Sequence, residues 1–325
     1  MSESEDQSES VGETPDSPPT TTAETEFEAA QRHVFDEAGI GVQSRYVNLE
    51  RPRSRLHVFE AGDLDSDEPP VVFIHGTGGF GAFFAPLMAH LDDLRLIAID
   101  RPGCGLSDKF VYTTANHRQT VGDVLAGVLD DLEVDRADIV GNSTGGYWSL
   151  VFALTHPQRV RRAIPIGGVP TFPGTRPPVP LRLFTVPVLN RLLARVQKPS
   201  EENVVKFMEM AGEGETIQRY PALIRAKVAH DRIPRSVNER FGEFKSFLTV
   251  RRWRAATRLR EAELRDLQHP TMFIWGEQDF LGSPNDVRES VEVIPDAHLV
   301  AMDAGHGPWL GQPAECAQLI REMRT

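Results

Sequence analysis

The chain has 325 residues, of which 40% are hydrophobic and 25% are charged, so it is long enough to bury the core of one large α/β domain. Its formal net charge of −12 argues against nucleic acid as a partner, because phosphate binding requires clustered positive side chains. The two cysteines, Cys104 and Cys316, fit neither a metal-binding nor a redox spacing.

Residues 1–37 are predicted to form a disordered acidic tail. The first 30 contain nine acidic side chains, no lysine or arginine and few large apolar side chains, so burial cannot offset the entropy lost on ordering. This start lacks the basic and apolar regions of a signal peptide, and no apolar run in the chain approaches the roughly 18 residues that a membrane span needs. We therefore expect a cytoplasmic protein with no membrane partner.

Strand-like apolar stretches are the main signal for the fold. From residue 71 onward they alternate with helical patterns, which predicts a mainly parallel sheet with helices on both faces. The first two stretches are separated by three residues and alternate in polarity, so they predict an antiparallel hairpin at the sheet edge. The predicted strands are 43–49, 54–60, 71–75, 94–99, 136–141, 160–166, 270–275 and 297–302.

The segment 168–264 differs from the rest, because strand patterns give way to prolines and arginine-rich helical stretches. We predict that it is a helical cap, inserted between two parts of an α/β core at 38–167 and 265–325. Such a cap would lie over the sheet edge where open α/β sheets bind ligands. Its positive charge leads to the hypothesis that substrates carry a free carboxylate. The arginines behind that hypothesis are Arg251, Arg252, Arg254, Arg258 and Arg260.

A glycine-rich turn follows the third predicted strand. It contains Gly76-x-Gly78-x-x-Gly81, and Asp100 lies about 20 residues later, a spacing that is also typical of dinucleotide sites. A dinucleotide fold does not account for the second glycine turn at 141–145. No tyrosine has a lysine four residues later, as a short-chain dehydrogenase would require. We interpret the first turn as an oxyanion loop and Asp100 as structural.

The second turn has the pattern Gly-x-Ser-x-Gly between a predicted strand and a predicted helix. A sharp turn of this kind exposes the hydroxyl of Ser143, and small residues are needed at Gly141 and Gly145 because side chains there would collide. A serine hydroxyl is a weak nucleophile at neutral pH and needs a histidine base that is oriented by a carboxylate. The turn therefore predicts a nucleophile whose partners come later in the chain.

The acid and the base are expected after the last two predicted strands. Asp279 ends "TMFIWGEQD" and His306 lies between glycines in "HLVAMDAGHGPW", both at the sheet edge that also carries Ser143. Asp303 and Asp286 remain alternatives for the acid.

Several motifs in this order resemble the α/β-hydrolase family: His75-Gly76, "DRPGCGLSD" at 100–108, "GNSTGG", "GEQD" and "GH". The resemblance covers nearly the whole chain after about residue 38. It implies an eight-stranded sheet and oxyanion donors at the backbone amides of Thr77 and Thr144, each worth about 3 kcal/mol in the transition state. "GNSTGG" is also similar to the elbow of hydrolases that cleave carbon–carbon bonds in ring-fission products.

The function predicted from the sequence is a serine hydrolase that cleaves a carboxylic ester through an acyl-enzyme. The alternatives are a carbon–carbon bond hydrolase of the meta-cleavage product type and a non-catalytic binding protein on the same fold. The partner is a small-molecule substrate, and neither a metal nor an organic cofactor is required. Phe80, Trp148 and Phe280 are expected to line the acyl site. The sequence leaves the oligomeric state open.

Overall fold

A computed structural model describes residues 21–183, 185–186 and 198–325, without the side chains of 237–239. An eight-stranded sheet has the order β1-β2-β4-β3-β5-β6-β7-β8, and only the pairings of β2 with β1 and β4 are antiparallel. The predictions of a mainly parallel sheet and of an edge hairpin are confirmed. The strands are β1 (Val42–Glu50), β2 (Arg53–Gly62), β3 (Val71–Ile74), β4 (Arg95–Ile99), β5 (Ala137–Asn142), β6 (Val160–Ile166), β7 (Thr271–Gly276) and β8 (Ala297–Met302).

Helices follow most of the strands. Within the described residues, none is both long enough and apolar enough to cross a membrane. The α-helices are α1 (Thr22–Ala38), α2 (Ala85–Met88), α3 (His117–Asp131), α4 (Thr144–Thr155), α5 (Val179–Leu183), α6 (Glu201–Met210), α7 (Gly214–Ile217), α8 (Pro221–Arg232), α9 (Ser236–Phe247), α10 (Glu261–Arg265), α11 (Pro284–Glu292), α12 (Pro308–Gly311) and α13 (Pro313–Arg324).

The core has two parts because successive side chains of a strand point to opposite faces of the sheet. In β3, Val71 and Phe73 belong to one buried cluster, whereas Val72 and Ile74 belong to the other. All four side chains are buried, as expected for a central parallel strand covered on both sides. The carboxyl ends of the central strands therefore remain at one edge, where the loops that carry the predicted site residues begin.

The segment between β6 and β7 contains α5–α10. Its one extended contact among the described residues is an isolated bridge between Leu248 and Trp253. Short helices replace strands here because prolines and charged residues interrupt every apolar run. The segment corresponds to the predicted cap, and the division of the chain into tail, core and cap remains a proposal.

The prediction of a disordered tail is wrong for residues 22–37, while residues 1–20 lie outside the described part. Helix α1 begins at a capping box formed by Thr21 and Glu24 and ends at Gly39, whose φ is +74°. Its apolar residues include Phe27 and Phe35, which lie on one buried face. The acidic composition of the surrounding residues hides this stripe in the sequence.

Helix α1 is docked on the helical segment rather than free. The ring of Phe27 lies 5.0 Å from that of Phe80 and 5.2 Å from that of His230 on α8. The amide of Ala222 donates to the carboxylate of Glu37 at 3.0 Å. The helix therefore connects the start of the described chain to the helical segment between β6 and β7.

We expect Phe27→Ala to lower the free energy of unfolding by about 3–5 kcal/mol, because it removes a fully buried ring and leaves a cavity. Urea denaturation measures the change. The matched control is Phe207→Ala on α6, where the ring is 40% exposed and we expect a change of no more than about 0.5 kcal/mol. Equal stabilities of the two variants would show that α1 does not contribute to the fold.

Candidate active site

Ser143 lies in a strained turn between β5 and α4, with φ 53° and ψ −115°. A non-glycine residue at positive φ costs of order 1–3 kcal/mol, and such strain is typical of functional sites. The turn is possible only with glycines on both sides. A Cβ atom on Gly141 would lie 2.1 Å from the carbonyl oxygen of Gly145, and one on Gly145 would lie 1.9 Å from that of Ile74. Local geometry thus presents the Ser143 hydroxyl at the start of α4.

His306 and Asp279 meet in the loops that follow β8 and β7. Nδ1 of His306 donates to Oδ2 of Asp279 at 2.7 Å, which leaves Nε2 as the basic nitrogen. The same carboxylate accepts the amides of Gly168 at 2.6 Å and Leu281 at 2.8 Å. These contacts fix the carboxylate in the orientation that the proposed role of Asp279 requires.

The two alternative acids have other partners. Asp303 accepts the side-chain amide of Gln278 at 3.0 Å. Asp286 caps the start of α11, where it accepts the amide and the hydroxyl of Ser283. Of the three candidates, the geometry supports Asp279.

Ser143 and His306 line one cavity of about 410 Å³. Among the hydrogen bonds of the described residues, none joins the serine hydroxyl to the imidazole. Contacts of this kind often form only when substrate is bound. Asn142 connects the two turns instead, since its Nδ2 donates to the carbonyl oxygens of Ile166 at 2.9 Å and His306 at 3.1 Å. Sequence reasoning assigned no role to this asparagine.

Thr77 and Thr144 lie next to each other, with 2.7 Å between their hydroxyl oxygens. Thr144 is the first residue of α4, so its amide points out of the positive end of the helix dipole beside Ser143. The Thr77 hydroxyl also contacts Glu243 on α9. This arrangement supports the proposed oxyanion role of the two backbone amides.

Glu243 forms a buried ion pair with Arg101, the residue that follows β4 and Asp100. Nη2 of Arg101 donates to Oε2 at 3.1 Å, and both side chains are at most 1% exposed. Burial alone would raise the pKa of Glu243, but the Arg101 guanidinium holds it below the usual range. The pair connects the segment above the sheet to the core at a point that also touches Thr77.

His75 shapes the turn that begins at Gly76, and it does so as a neutral side chain. Its Nε2 accepts the amide of Arg101 at 3.0 Å, so Nδ1 carries the proton and donates to the carbonyl of Gly76 at 2.8 Å. Burial, with the nearby Arg101 charge, lowers the pKa of His75 to about 3. This histidine is therefore structural.

The aromatic residues expected at the acyl site divide into two groups. Phe280 lines the cavity, and its ring lies 4.4 Å from that of His306. Phe80 and Trp148 do not line it, so their predicted contact with substrate is wrong. Both are fully buried: Phe80 packs against Phe27, and Trp148 lies under the guanidinium of Arg101. A large ring that packs in the core gives the same sequence signal as one that lines a pocket.

One wall of the cavity is charged. Lys227 on α8 donates to Asp231, and Nη1 of Arg240 on α9 lies 3.4 Å from the same carboxylate oxygen. Arg240 lies beside the glycine-rich turn after β3, because a Cβ on Gly78 would lie 2.7 Å from its Cδ. Two cations thus share one carboxylate at the edge of the cavity.

The arginines singled out in the sequence, at positions 251–260, do not line this cavity. Four of the five are exposed, and Arg254 is partly buried with its Nε donating to the carbonyl of Lys245. The cations that line the cavity therefore lie outside that cluster: they are Lys198, Lys206, Lys227 and Arg240.

Comparisons with known proteins show the fold family of the chain. A family model described as the alpha/beta hydrolase fold matches residues 69–310. A 2-hydroxy-6-oxononadienedioate/2-hydroxy-6-oxononatrienedioate hydrolase of Cupriavidus pinatubonensis is 31% identical over 172 residues, which is 51% of this chain and only 57% of that relative. The hydrolase of the same name from Klebsiella pneumoniae is 25% identical over 81% of this chain and 89% of its own length.

A solved structure of naproxen esterase from Bacillus subtilis superposes with a TM-score of 0.71. The match covers 95% of this chain and 100% of the esterase. At 18% identity this likeness shows the fold alone. The family resemblance predicted from the sequence motifs is confirmed by these matches.

Proposed function

The chain belongs to the α/β hydrolase fold family and is a hydrolase, and from this premise we propose that it cleaves a carbon–carbon bond beside a ketone in a carboxylated dienoic acid. The relatives named 2-hydroxy-6-oxononadienedioate hydrolases support this choice over the ester predicted first from the sequence. An ester remains the second candidate, because the Ser–His–Asp arrangement can cleave either bond.

The observation that carries the proposal is the charged wall of the cavity. Burial lowers the pKa of Lys227 to about 8, so its ammonium is charged at neutral pH. Burial would raise the pKa of Asp231, but Lys227 and Arg240 hold it well below the usual range, so the carboxylate is ionised. Two positive charges against one negative charge favour binding of a further carboxylate, which arginine can hold through two hydrogen bonds.

The rest of the cavity suits an apolar body. Phe244, Phe247, Leu248 and Trp253 line it together with Phe280. A substrate with a conjugated hydrocarbon chain between its carboxylate and its ketone would bury apolar surface here while its anionic end meets Arg240.

In the proposed first step, Nε2 of His306 takes the proton of Ser143, and the serine oxygen attacks the ketone carbon. The amides of Thr77 and Thr144 hold the oxyanion of the tetrahedral intermediate. Asp279 stabilises the imidazolium that forms. This half of the reaction is the same for a ketone and for an ester.

In the second step, the substrate reacts as its 2,6-dioxo tautomer, in which the proton of the 2-hydroxyl group has moved to the carbon beside the ketone. The carbonyl reforms and the carbon–carbon bond breaks, with its electron pair moving through the chain to the 2-oxo group. That oxygen takes the proton from the imidazolium of His306. Arg240 and Lys227 stabilise the negative charge that spreads toward the carboxylate end. Water, deprotonated by His306, then attacks the acyl carbon and releases Ser143 and the second carboxylic acid.

The test compares a 2-hydroxy-6-oxohexa-2,4-dienoate bearing an apolar 6-substituent with its primary amide. We expect kcat/KM to be higher for the acid by about tenfold or more, since a charge-assisted hydrogen bond contributes about 1.5–3 kcal/mol. The preference should fall as pH rises through about 8, because Lys227 is charged below that pH and neutral above it.

Two variants complete this test. Arg240→Gln should remove most of the preference for the acid, whereas Arg251→Gln, at an exposed position, should leave it unchanged. If the protein hydrolyses simple esters but does not cleave the dienoate, the carbon–carbon bond proposal is wrong and ester hydrolysis is the better-supported function.

A further inference from the structure

The loop between α6 and α7 forms hydrogen bonds with the loop that carries His306. The amide of His306 donates to the carbonyl of Ala211 at 2.8 Å, and the amide of Gly307 donates to Oε1 of Glu213 at 3.0 Å. The helical segment above the sheet therefore holds the backbone on both sides of the proposed base.

The approach of the two loops leaves no room for side chains. A Cβ atom on Gly305 would lie 2.3 Å from the carbonyl oxygen of Ala211. Gly212 has φ +79°, and a Cβ there would lie 2.9 Å from the Cα atom of Gly305. Backbone contact this close transmits a shift of one loop directly to the other.

Glu213 is an unusual residue for such a contact, because burial removes the hydration of its carboxylate. It is 1% exposed, and burial raises its pKa despite hydrogen bonds from the backbone of Gly307 and Gly305 and from the Thr216 hydroxyl. It also lines the cavity that contains Ser143. Burying a carboxylate costs free energy unless the carboxylate accepts hydrogen bonds. Here backbone amides of the loop that carries His306 donate those hydrogen bonds.

The other hydrogen bonds that hold His306 do not duplicate the hydrogen bond between Glu213 and Gly307. Asp279 orients the ring through Nδ1, and Asn142 holds the carbonyl oxygen of His306. Neither of them touches the amide of Gly307. The position of the chain immediately after the base therefore depends on Glu213.

We propose that Glu213 is a positioning residue of the reaction, supplied by the helical segment, which holds the loop of His306 so that Nε2 reaches Ser143. This inference rests on the proposed function of the serine and histidine. It gives the segment above the sheet a part in proton transfer, in addition to its part in lining the cavity. Glu213 acts through His306 and does not touch the reacting atoms.

The experiment measures the rate of Ser143 labelling by a fluorophosphonate in the full chain, with kcat and KM for p-nitrophenyl acetate. Glu213→Ala should slow labelling and lower kcat by about 10- to 100-fold with little change in KM, because a displacement of about 1 Å can cost a hundredfold. Glu213→Gln keeps an acceptor for the Gly307 amide and should be faster than Glu213→Ala by about threefold or more. Glu209→Ala, at an exposed position on α6, is the matched control and should react like the parent.

Rates are normalised to the number of sites that label at completion, so partial misfolding of one variant does not count as slow chemistry. Labelling of Glu213→Ala within about twofold of the control would overturn the proposal. Equal rates for Glu213→Gln and Glu213→Ala would also overturn it, since the hydrogen bond to Gly307 would then have no effect. If the parent itself does not label at Ser143, the proposed function fails; if the parent labels and Glu213→Ala is unaffected, only the role of Glu213 fails.

Discussion

Replacing Ser143 by alanine should lower kcat by about a millionfold, because loss of the nucleophile removes the covalent step and the members of such a triad act as a unit. The fold should be retained, since alanine keeps the Cβ atom and the serine hydroxyl makes no hydrogen bond within the described residues. The measurement is turnover of the ring-fission substrate together with covalent labelling by a fluorophosphonate. We expect no label at position 143.

A second Ser–His–Asp arrangement provides the control for this experiment. Ser44 on β1 donates to Nε2 of His57 at 2.8 Å, and Nδ1 of His57 donates to Asp100 at 2.9 Å. Ser44 lies in a regular strand and does not line the cavity. Ser44→Ala should therefore label and turn over substrate like the parent. Label that persists in Ser143→Ala but disappears in Ser44→Ala would show that the nucleophile had been assigned to the wrong serine.

This comparison also shows why hydrogen-bond distances alone do not identify an active site. Ser44 and His57 form a hydrogen bond of 2.8 Å, whereas no hydrogen bond joins Ser143 to His306 in the described part of the chain. What distinguishes Ser143 is the strained turn, the helix end beside it and the cavity above it. The strained turn and the helix end could be predicted from the glycine pattern around the serine, whereas the cavity could not.

The fold could be predicted from the sequence because its signals are local. Each central strand is a short apolar run that ends in glycine or a polar residue, and the order of runs and helical patterns determines a parallel sheet. Helix α1 could not be predicted from composition, because Phe27, Val34 and Phe35 are spaced among acidic residues. Phe27 also finds a partner on α8, the ring of His230, about 200 residues later.

The polar residues around the site could not be predicted, because their partners lie far away along the chain. Arg101 pairs with Glu243, 142 residues later, and Glu213 holds Gly307, 94 residues later. A charged residue on a helical pattern ordinarily predicts a solvated surface. Only the packing of the helical segment on the sheet turns these side chains inward, and that packing depends on long-range geometry rather than on local preference.

The second large effect is expected for Asp279→Asn, which should lower kcat by about ten thousandfold. The amide is neutral, so it stabilises the imidazolium of His306 less well, and its NH₂ group favours the wrong histidine tautomer. Because Asp279 accepts the amide of Gly168 with one oxygen and that of Leu281 with the other, the asparagine must turn its NH₂ toward one of these amides, which then has no acceptor. We therefore also expect a loss of stability of about 1–3 kcal/mol from the unsatisfied backbone group.

Asp303→Asn is the matched control, because Asp303 follows β8 in the same region but accepts from Gln278 and not from His306. It should keep kcat within about twofold of the parent and leave the stability nearly unchanged, as expected for an exposed side chain. The two effects of Asp279→Asn can be separated by measuring kcat per folded protein well below the melting temperature. A variant that is less stable but turns over normally would make Asp279 a structural residue. Inactivity of Asp303→Asn would instead show that substrate binding moves the His306 loop toward the other carboxylate.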